Sequence, residues 1–167
     1  MRAGAAGPAP RPHRRKRRHR PDRQINPRRQ DHQRLRQRNK PRNRYRADST
    51  IKWLKQIKPD SARTIVGITN EDVSVNKGAH KDYGVMGLGY KPGKACVVST
   101  FRLRKTASSR KHFQQRLFKV VVHEMGHNFG LDHCPDETCI MVDAEGQMKL
   151  DQEKDLCSSC KQKLQIK

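Results

Sequence analysis

Four residues within the stretch HEMGHNFGLDHC, positions 123–134, have the types and spacing of a metal centre. His123 and His127 are four residues apart, so on a helix their imidazoles lie on one face and can hold one ion. Gly130 can adopt the left-handed backbone that ends a helix, which lets the chain return so that His133 supplies a third nitrogen. Three imidazoles leave the fourth position of a tetrahedral zinc ion open, which is typical of a catalytic site.

Glu124 lies next to the histidine pair, close enough to contact a zinc-bound water without being a ligand. We therefore predict peptide-bond hydrolysis, in which zinc acidifies its water and polarises the scissile carbonyl. Glu124 would take the water proton and pass it to the leaving amine. The competing interpretation is a chance match in an exposed helix, but the preceding apolar run and the third histidine favour a real site.

Four of the five cysteines form two pairs with the spacing of metal ligands. Four residues separate Cys134 from Cys139, and two separate Cys157 from Cys160. Together the pairs predict a closed four-thiolate zinc site. The chain is therefore predicted to hold two zinc ions, one catalytic and one structural, with the last histidine and the first cysteine as neighbours that face different metals. Cys96, in KACVVS, is predicted to be a buried strand residue.

Hydrophobic periodicity predicts the elements that position these ligands. One helix should begin at a cap formed by Asp48 or Ser49 and end before Pro59, and a longer helix over residues 108–128 should carry the histidines. The remaining predicted elements are strands at residues 63–69, 83–90 and 95–103 and a last helix over residues 151–164. This order predicts a small α/β domain whose chemistry lies beyond its sheet. Residues 99–103 are a candidate rim for extended substrate or, equally well, an ordinary edge strand.

The positive charge is concentrated in front of this domain. The formal net charge is +22, and residues 1–48 hold 18 Lys and Arg against 3 Asp and Glu. Residues 1–43 have too few apolar side chains to offset the entropy of ordering them, so we predict a basic disordered tail. The Arg cluster at residues 14–20 favours phosphate contacts, and the lack of aromatic residues before residue 41 predicts that any nucleic-acid binding is non-specific.

Neither a membrane span nor a secretory signal is predicted. No apolar run approaches the roughly 18 residues of a span, and no apolar stretch follows the basic N-terminus. We expect a cytoplasmic monomer that acts on a peptide or protein substrate.

The run from His123 to Cys139, the CIM at 139–141 and the distal CSSC at 157–160 resemble the archaemetzincins, zinc peptidases of the metzincin clan. The segments KPDSARTIVGIT, GVMGLGY and ACVVSTFRL are also similar, so the resemblance extends from about residue 44 to the C-terminus. It implies that Glu124 is the general base and that Met141 forms the turn beneath the histidines. The implied ligands are His123, His127 and His133 for the catalytic zinc, and Cys134, Cys139, Cys157 and Cys160 for the structural zinc.

The resemblance implies that residues 44–167 form a small metzincin-like zincin domain. Such an α/β domain has a mixed sheet, an active-site helix and a zinc-stapled C-terminal subdomain, and its implied activity is aminopeptidase-like or otherwise restricted cleavage. The alternative is a non-catalytic zinc protein whose basic tail binds nucleic acid. The family has a strand ahead of the first helix, for which residues 1–41 offer no counterpart. A wrong start or a shifted reading frame explains residues 1–43 as well as a natural tail does.

Overall fold

The computed structural model describes residues 38–39, 43–144, 147 and 149–165. Of the predicted disordered tail, the structure describes only residues 38–39 and 43. The Arg cluster and its predicted nucleic-acid contacts lie outside the described residues. None of the helices in the described part of the chain is both long and apolar enough to cross a membrane.

The first helix, α1, spans Ala47–Ile57 and buries Ala47, Ile51 and Leu54 at the spacing of one helical face. It ends at Lys58, whose extended backbone precedes Pro59, as the sequence predicts. The predicted cap is wrong, because the N-cap residue is Arg46 and no side chain caps the first turn. Strand β2 runs directly into the helix and sets its start.

In the part of the chain that the structure describes, seven strands form two small sheets. The strands are β1 Arg38–Asn39, β2 Arg44–Arg46, β3 Ile65–Thr69, β4 Val73–Lys77, β5 His80–Val85, β6 Gly87–Gly89 and β7 Ala95–Ser99. The first sheet has the order β1-β2-β4-β5, and the second has the order β3-β7-β6. Both sheets are mixed, because β2 pairs parallel with β4 and β3 pairs parallel with β7, whereas the other pairs are antiparallel. The mixed α/β architecture predicted from the sequence is therefore confirmed.

Two features of the sheets differ from the predicted elements. Strand β1 lies inside the predicted tail, where main-chain pairing with β2 requires no apolar side chains. Strands β5 and β6 are one stretch of chain divided at Met86, whose carbonyl oxygen accepts a hydrogen bond from the Ser99 amide at 2.7 Å. This bond connects the two sheets at the end of β7.

The prediction that residues 99–103 continue the third strand as a substrate rim is wrong. Strand β7 ends at Ser99, whose hydroxyl accepts a hydrogen bond from the Phe101 amide and caps helix α2, Thr100–Lys105. Strand β7 also lies in the middle of its sheet, and β6 is the edge strand. The open edge beside the histidine motif therefore belongs to residues 87–89.

The long helix, α3, spans Arg110–Asn128 and is capped by Ser109. These bounds agree with the helix predicted over residues 108–128. Four buried side chains follow one another at intervals of four residues along the face that packs on β6 and β7: Arg116, Val120, Glu124 and Asn128. The helix ends at Asn128 with Phe129 as its C-cap residue, and Gly130 then adopts a φ of +98°. The left-handed turn predicted at this glycine is confirmed.

The C-terminal segment contains one short helix, α4, Ser158–Lys163. The predicted last helix began at residue 151, but residues 151–157 form a turn and extended chain instead. Cys157 is the N-cap residue of α4, so the helix begins only after the third metal-type cysteine. Around it lies a core cluster formed by Leu131, Cys139, Ile140, Met141, Leu156 and Cys160.

Candidate active site and metal centres

Helix α3 places the first two histidines of the motif one above the other. The Nε2 atoms of His123 and His127 are 3.1 Å apart. Each ring is oriented by a main-chain carbonyl, because Nδ1 of His123 lies 2.7 Å from the Ile140 oxygen and Nδ1 of His127 lies 2.9 Å from the Leu131 oxygen. A carbonyl oxygen only accepts hydrogen bonds, so both Nδ1 atoms carry the proton and both Nε2 atoms present a lone pair.

Two neutral imidazoles cannot hydrogen-bond through facing lone pairs, so this arrangement fits a shared cation. At the usual zinc–nitrogen distance of about 2.05 Å, a 3.1 Å separation corresponds to an angle of about 100° at the ion, close to tetrahedral. Burial lowers the pKa of His123 to about 4 and also lowers the pKa of His127. Burial thus holds both rings in the neutral form that binds metals.

The turn at Gly130 brings the third histidine to the same place. The ring centroid of His133 lies 5.4 Å from that of His123 and 4.9 Å from that of His127. One candidate ligand atom from each of the three residues lies within 4.8 Å of the others. The His133 side chain is 46% exposed, and its Nδ1 lies 3.3 Å from Oδ2 of Asp143. His133 therefore occupies the open side of the cluster, with a carboxylate positioned to orient its ring.

Glu124 lies directly under strand β6. The amide of Gly89 donates a hydrogen bond to its carboxylate, and burial raises the pKa of Glu124 to about 8. A Cβ atom at Gly87 would lie only 2.5 Å from Oε1 of Glu124. The close approach of β6 therefore depends on glycine, and it holds the carboxylate beside the histidine cluster.

Met141 lies on the other side of the histidine helix. It is fully buried, and a Cβ atom at Gly126 would lie 2.5 Å from its sulfur. Gly126 immediately precedes His127, so Met141 packs beneath the histidine pair. This is the position that the family resemblance implies.

The four paired cysteines come together in a second cluster. Sγ of Cys134 lies 3.7 Å from Sγ of Cys157, and Sγ of Cys139 lies 3.8 Å from Sγ of Cys160. All four sulfurs lie within 4.8 Å of one another. A tetrahedral zinc ion with bonds of about 2.3 Å separates its sulfur ligands by about 3.8 Å. The cluster therefore has the dimensions of a four-thiolate zinc site.

The fifth cysteine is separate from this cluster. Cys96 is fully buried in β7, as predicted, and burial raises the pKa of its thiol to about 12.

The histidine cluster opens into a cavity of about 440 Å³ that also contacts Glu124. Val120 and Leu150 contribute apolar side chains to the lining, which also includes Glu153, Lys77 and Arg102. Sequence reasoning assigned no role to Gly87, Gly89 or Glu153. The glycines stand in a visibly Gly-rich segment, but no local pattern distinguishes Glu153 from an exposed glutamate.

A model of peptidase family M54 matches residues 29–166. The archaemetzincin of Haloquadratum walsbyi is 37% identical over 127 residues, which are 71% of this chain and 70% of that protein. The crystal structure of archaemetzincin from Methanopyrus kandleri has a TM-score of 0.66 at 31% identity and covers 75% of this chain and 67% of its own. The crystal structure of a zinc-dependent peptidase from Methanocorpusculum labreanum has a TM-score of 0.62 at 26% identity, with coverages of 76% and 78%. The family match begins ahead of residue 44 and includes β1.

Proposed function

Because the chain belongs to peptidase family M54, the archaemetzincins, it is a zinc metallopeptidase, and we propose that His123, His127 and His133 hold its catalytic zinc. We further propose that Glu124 is the general base. The observation that carries this assignment is that the Nε2 atoms of His123 and His127 lie 3.1 Å apart and line one cavity with the buried Glu124. When bound, zinc polarises the scissile carbonyl and lowers the pKa of water.

The protein contributes a fixed carboxylate and an open strand edge. Glu124 accepts the proton of the attacking water and delivers it to the leaving amine, and the hydrogen bond from the Gly89 amide keeps its carboxylate in position. Strand β6 is the edge strand above the site, so its main chain is available to pair with an extended substrate. Substrate pairing at β6 replaces the rim that the sequence placed at residues 99–103.

The four cysteines would hold a second, structural zinc. Their sulfurs have the separations that a tetrahedral thiolate site requires, and two main-chain amides point at one of them. The amides of Cys157 and Met141 lie 3.3 Å and 3.5 Å from Sγ of Cys139. Such amide donors stabilise a thiolate, which is the form of cysteine that binds zinc. A closed set of four thiolates leaves no position for substrate, so this ion would serve the fold alone.

The dimensions of the cleft favour cleavage of restricted specificity, including aminopeptidase-like cleavage. The cavity of about 440 Å³ is large enough for one or two side chains rather than a long groove of subsites. Digestion of a peptide library, followed by mass spectrometry of the products, distinguishes cleavage at chain ends from internal cleavage.

Replacement of Glu124 by glutamine tests the catalytic assignment. Glu124→Gln keeps the size of the side chain and all zinc ligands, so zinc content and the melting temperature should stay within error of the wild type. Peptide hydrolysis should fall by about 10²- to 10⁴-fold because the base is lost. Glu71→Gln is the matched control, since Glu71 is exposed, and it should retain full activity. Full turnover in zinc-loaded Glu124→Gln would refute the assignment.

A further inference from the structure

A buried carboxylate without a partner lies at the wall of the active-site cavity. Glu153 is only 6% exposed, and its Oε2 is closed off from solvent with no hydrogen-bond partner among the described residues. It lines the same cavity as the three histidines and Glu124. A buried carboxylate without a partner is costly when ionised, so its presence in a binding cavity indicates a role in binding.

The cation nearest to Glu153 does not neutralise it. The ammonium group of Lys119 donates hydrogen bonds to the main-chain carbonyl oxygens of Leu150 and Glu153. Asp151 is also close, but it is paired with Arg116 and His112. Burial and the charge of Asp151 raise the pKa of Glu153, Lys119 lowers it, and the resulting pKa is about 7. An entering cation would therefore draw the carboxylate into its ionised form.

Glu153 and the three histidines line one cavity, so a substrate side chain that enters beside the scissile bond can approach Glu153. Lys119 fixes the segment 150–153 beside α3 at a point four residues before His123. Val120 and Leu150 contribute apolar side chains to the lining of this cavity. Lysine and arginine bury their methylene stems along such walls while the charged end reaches a polar group.

We propose that Glu153 is a specificity residue that selects a lysine or arginine side chain flanking the scissile bond. This inference rests on the proposed function, because it places the selected side chain in the cavity of the proposed active site. An aliphatic side chain of equal length would fill the same walls but leave the carboxylate without a partner. An acidic side chain would be repelled.

Nonapeptides with one variable residue between two runs of four alanines test the proposal. Only the central side chain is large enough to fill the cavity, so the peptides with lysine, norleucine or glutamate at that position differ in the charge that enters it. Lys77 and Arg102 also line the cavity, and comparison with Glu153→Gln isolates the part of the preference that Glu153 causes. We expect the wild type to cleave the lysine peptide at least 10-fold more efficiently, as kcat/KM, than the norleucine peptide. In Glu153→Gln that ratio should fall below 3.

Glu153→Gln should fold, since glutamine replaces a carboxyl group that burial already favours in the neutral form. Glu71→Gln, at an exposed position, is the matched control and should keep the wild-type preference for lysine. An equal preference for lysine in the wild type and Glu153→Gln, or no preference in the wild type, would overturn the proposal.

Binding of the same peptides, labelled with fluorescein, separates this proposal from the proposed function. Fluorescence polarisation with Glu124→Gln should show at least 5-fold tighter binding of the lysine peptide than of the norleucine peptide. The double variant Glu124→Gln, Glu153→Gln should lose this difference. If the wild type cleaves no peptide, the catalytic assignment fails, while the binding ratio still supports or refutes selection by Glu153.

Discussion

An alanine at either glycine of β6 would meet residue 124, but at different atoms. A Cβ at Gly87 would lie 2.5 Å from Oε1 and 2.7 Å from Cγ of Glu124, whereas ordinary contacts of a Cβ are 3.4–4 Å. The Glu124 side chain can rotate away, so the overlap is relieved by moving its carboxylate about 1 Å. A 1 Å displacement of a reacting group costs about 10²-fold in rate. Gly87→Ala should therefore lose about 10²-fold in kcat while the free energy of unfolding falls by only about 1 kcal/mol.

An alanine at Gly89 should mainly reduce the stability of the fold, whereas an alanine at Gly87 should mainly reduce kcat. Its Cβ would lie 2.3 Å from the main-chain oxygen of Glu124 and 3.1 Å from Nδ2 of Asn128. A main-chain oxygen inside a helix cannot move by itself, so α3 and β6 must separate. We expect Gly89→Ala to lose about 3 kcal/mol of unfolding free energy, the upper range for an overpacked core. Activity per folded molecule would fall as well, because the Gly89 amide orients the Glu124 carboxylate.

The two variants are compared by urea unfolding and by kcat on one peptide at full zinc loading. Because the glycines are two residues apart on one strand, general effects of an added methyl group should be similar in both variants. The reasoning is refuted if Gly87→Ala retains the wild-type kcat, or if Gly89→Ala unfolds at the same urea concentration as Gly87→Ala. Either result would mean that β6 does not press on α3 at residue 124.

Three further outcomes concern the cysteine cluster and a partly buried ion pair. Cys157→Ser should lower the melting temperature sharply and make it much less sensitive to chelators, whereas the isolated Cys96→Ala should keep the chelator-sensitive transition of the wild type. Cys157→Ser should also weaken zinc binding by the histidines, measured as the concentration of free zinc that gives half-maximal activity. Asp151→Asn should cost about 1 kcal/mol at pH 7, because it breaks a partly exposed pair with buried Arg116. Hydrogen bonds, first from Arg116 and then from His112, hold the pKa of Asp151 well below its usual range. The contribution of Asp151 to the free energy of unfolding is therefore complete above its pKa in the unfolded chain, about 4, and is lost as the pH falls toward its pKa in the folded protein. The unfolding curves of the wild type and Asp151→Asn should therefore converge below about pH 4.

Local geometry explains which parts of the site could be predicted from the sequence. The interval between His123 and His127 places both rings on one helical face wherever that helix packs. The periodic apolar residues of α1 and α3 likewise predict helices without knowledge of their partners. The cysteine cluster followed from ligand type, since two spaced pairs of thiols have few other uses in a chain of this composition.

Contacts between distant segments account for what sequence reasoning got wrong or missed. Residues 95–103 alternate as a predicted strand should, but the hydroxyl of Ser99 caps a helix over the second half of that segment. The local pattern does not show which of the two structures forms. Glu153 looks like a surface residue in the sequence, but in the structure it is buried, and Lys119 of α3 bonds to its main-chain oxygen. Gly87 and Gly89 do not have the positive φ by which a turn motif is recognised in a sequence. They must be glycine because a Cβ atom at either position would overlap Glu124.

The adjacency of His133 and Cys134 links the two clusters. His123 and His127 are fixed by α3 and by carbonyl hydrogen bonds, whereas His133 is 46% exposed and follows a turn. Its position depends on Cys134, whose amide donates to the Met141 oxygen at 2.8 Å. If thiolate-bound zinc fixes Cys134, its loss frees His133 first and leaves the histidine pair in place. A site with two histidines binds zinc more weakly than one with three, so the structural ion would control the affinity of the catalytic ion through a single peptide unit.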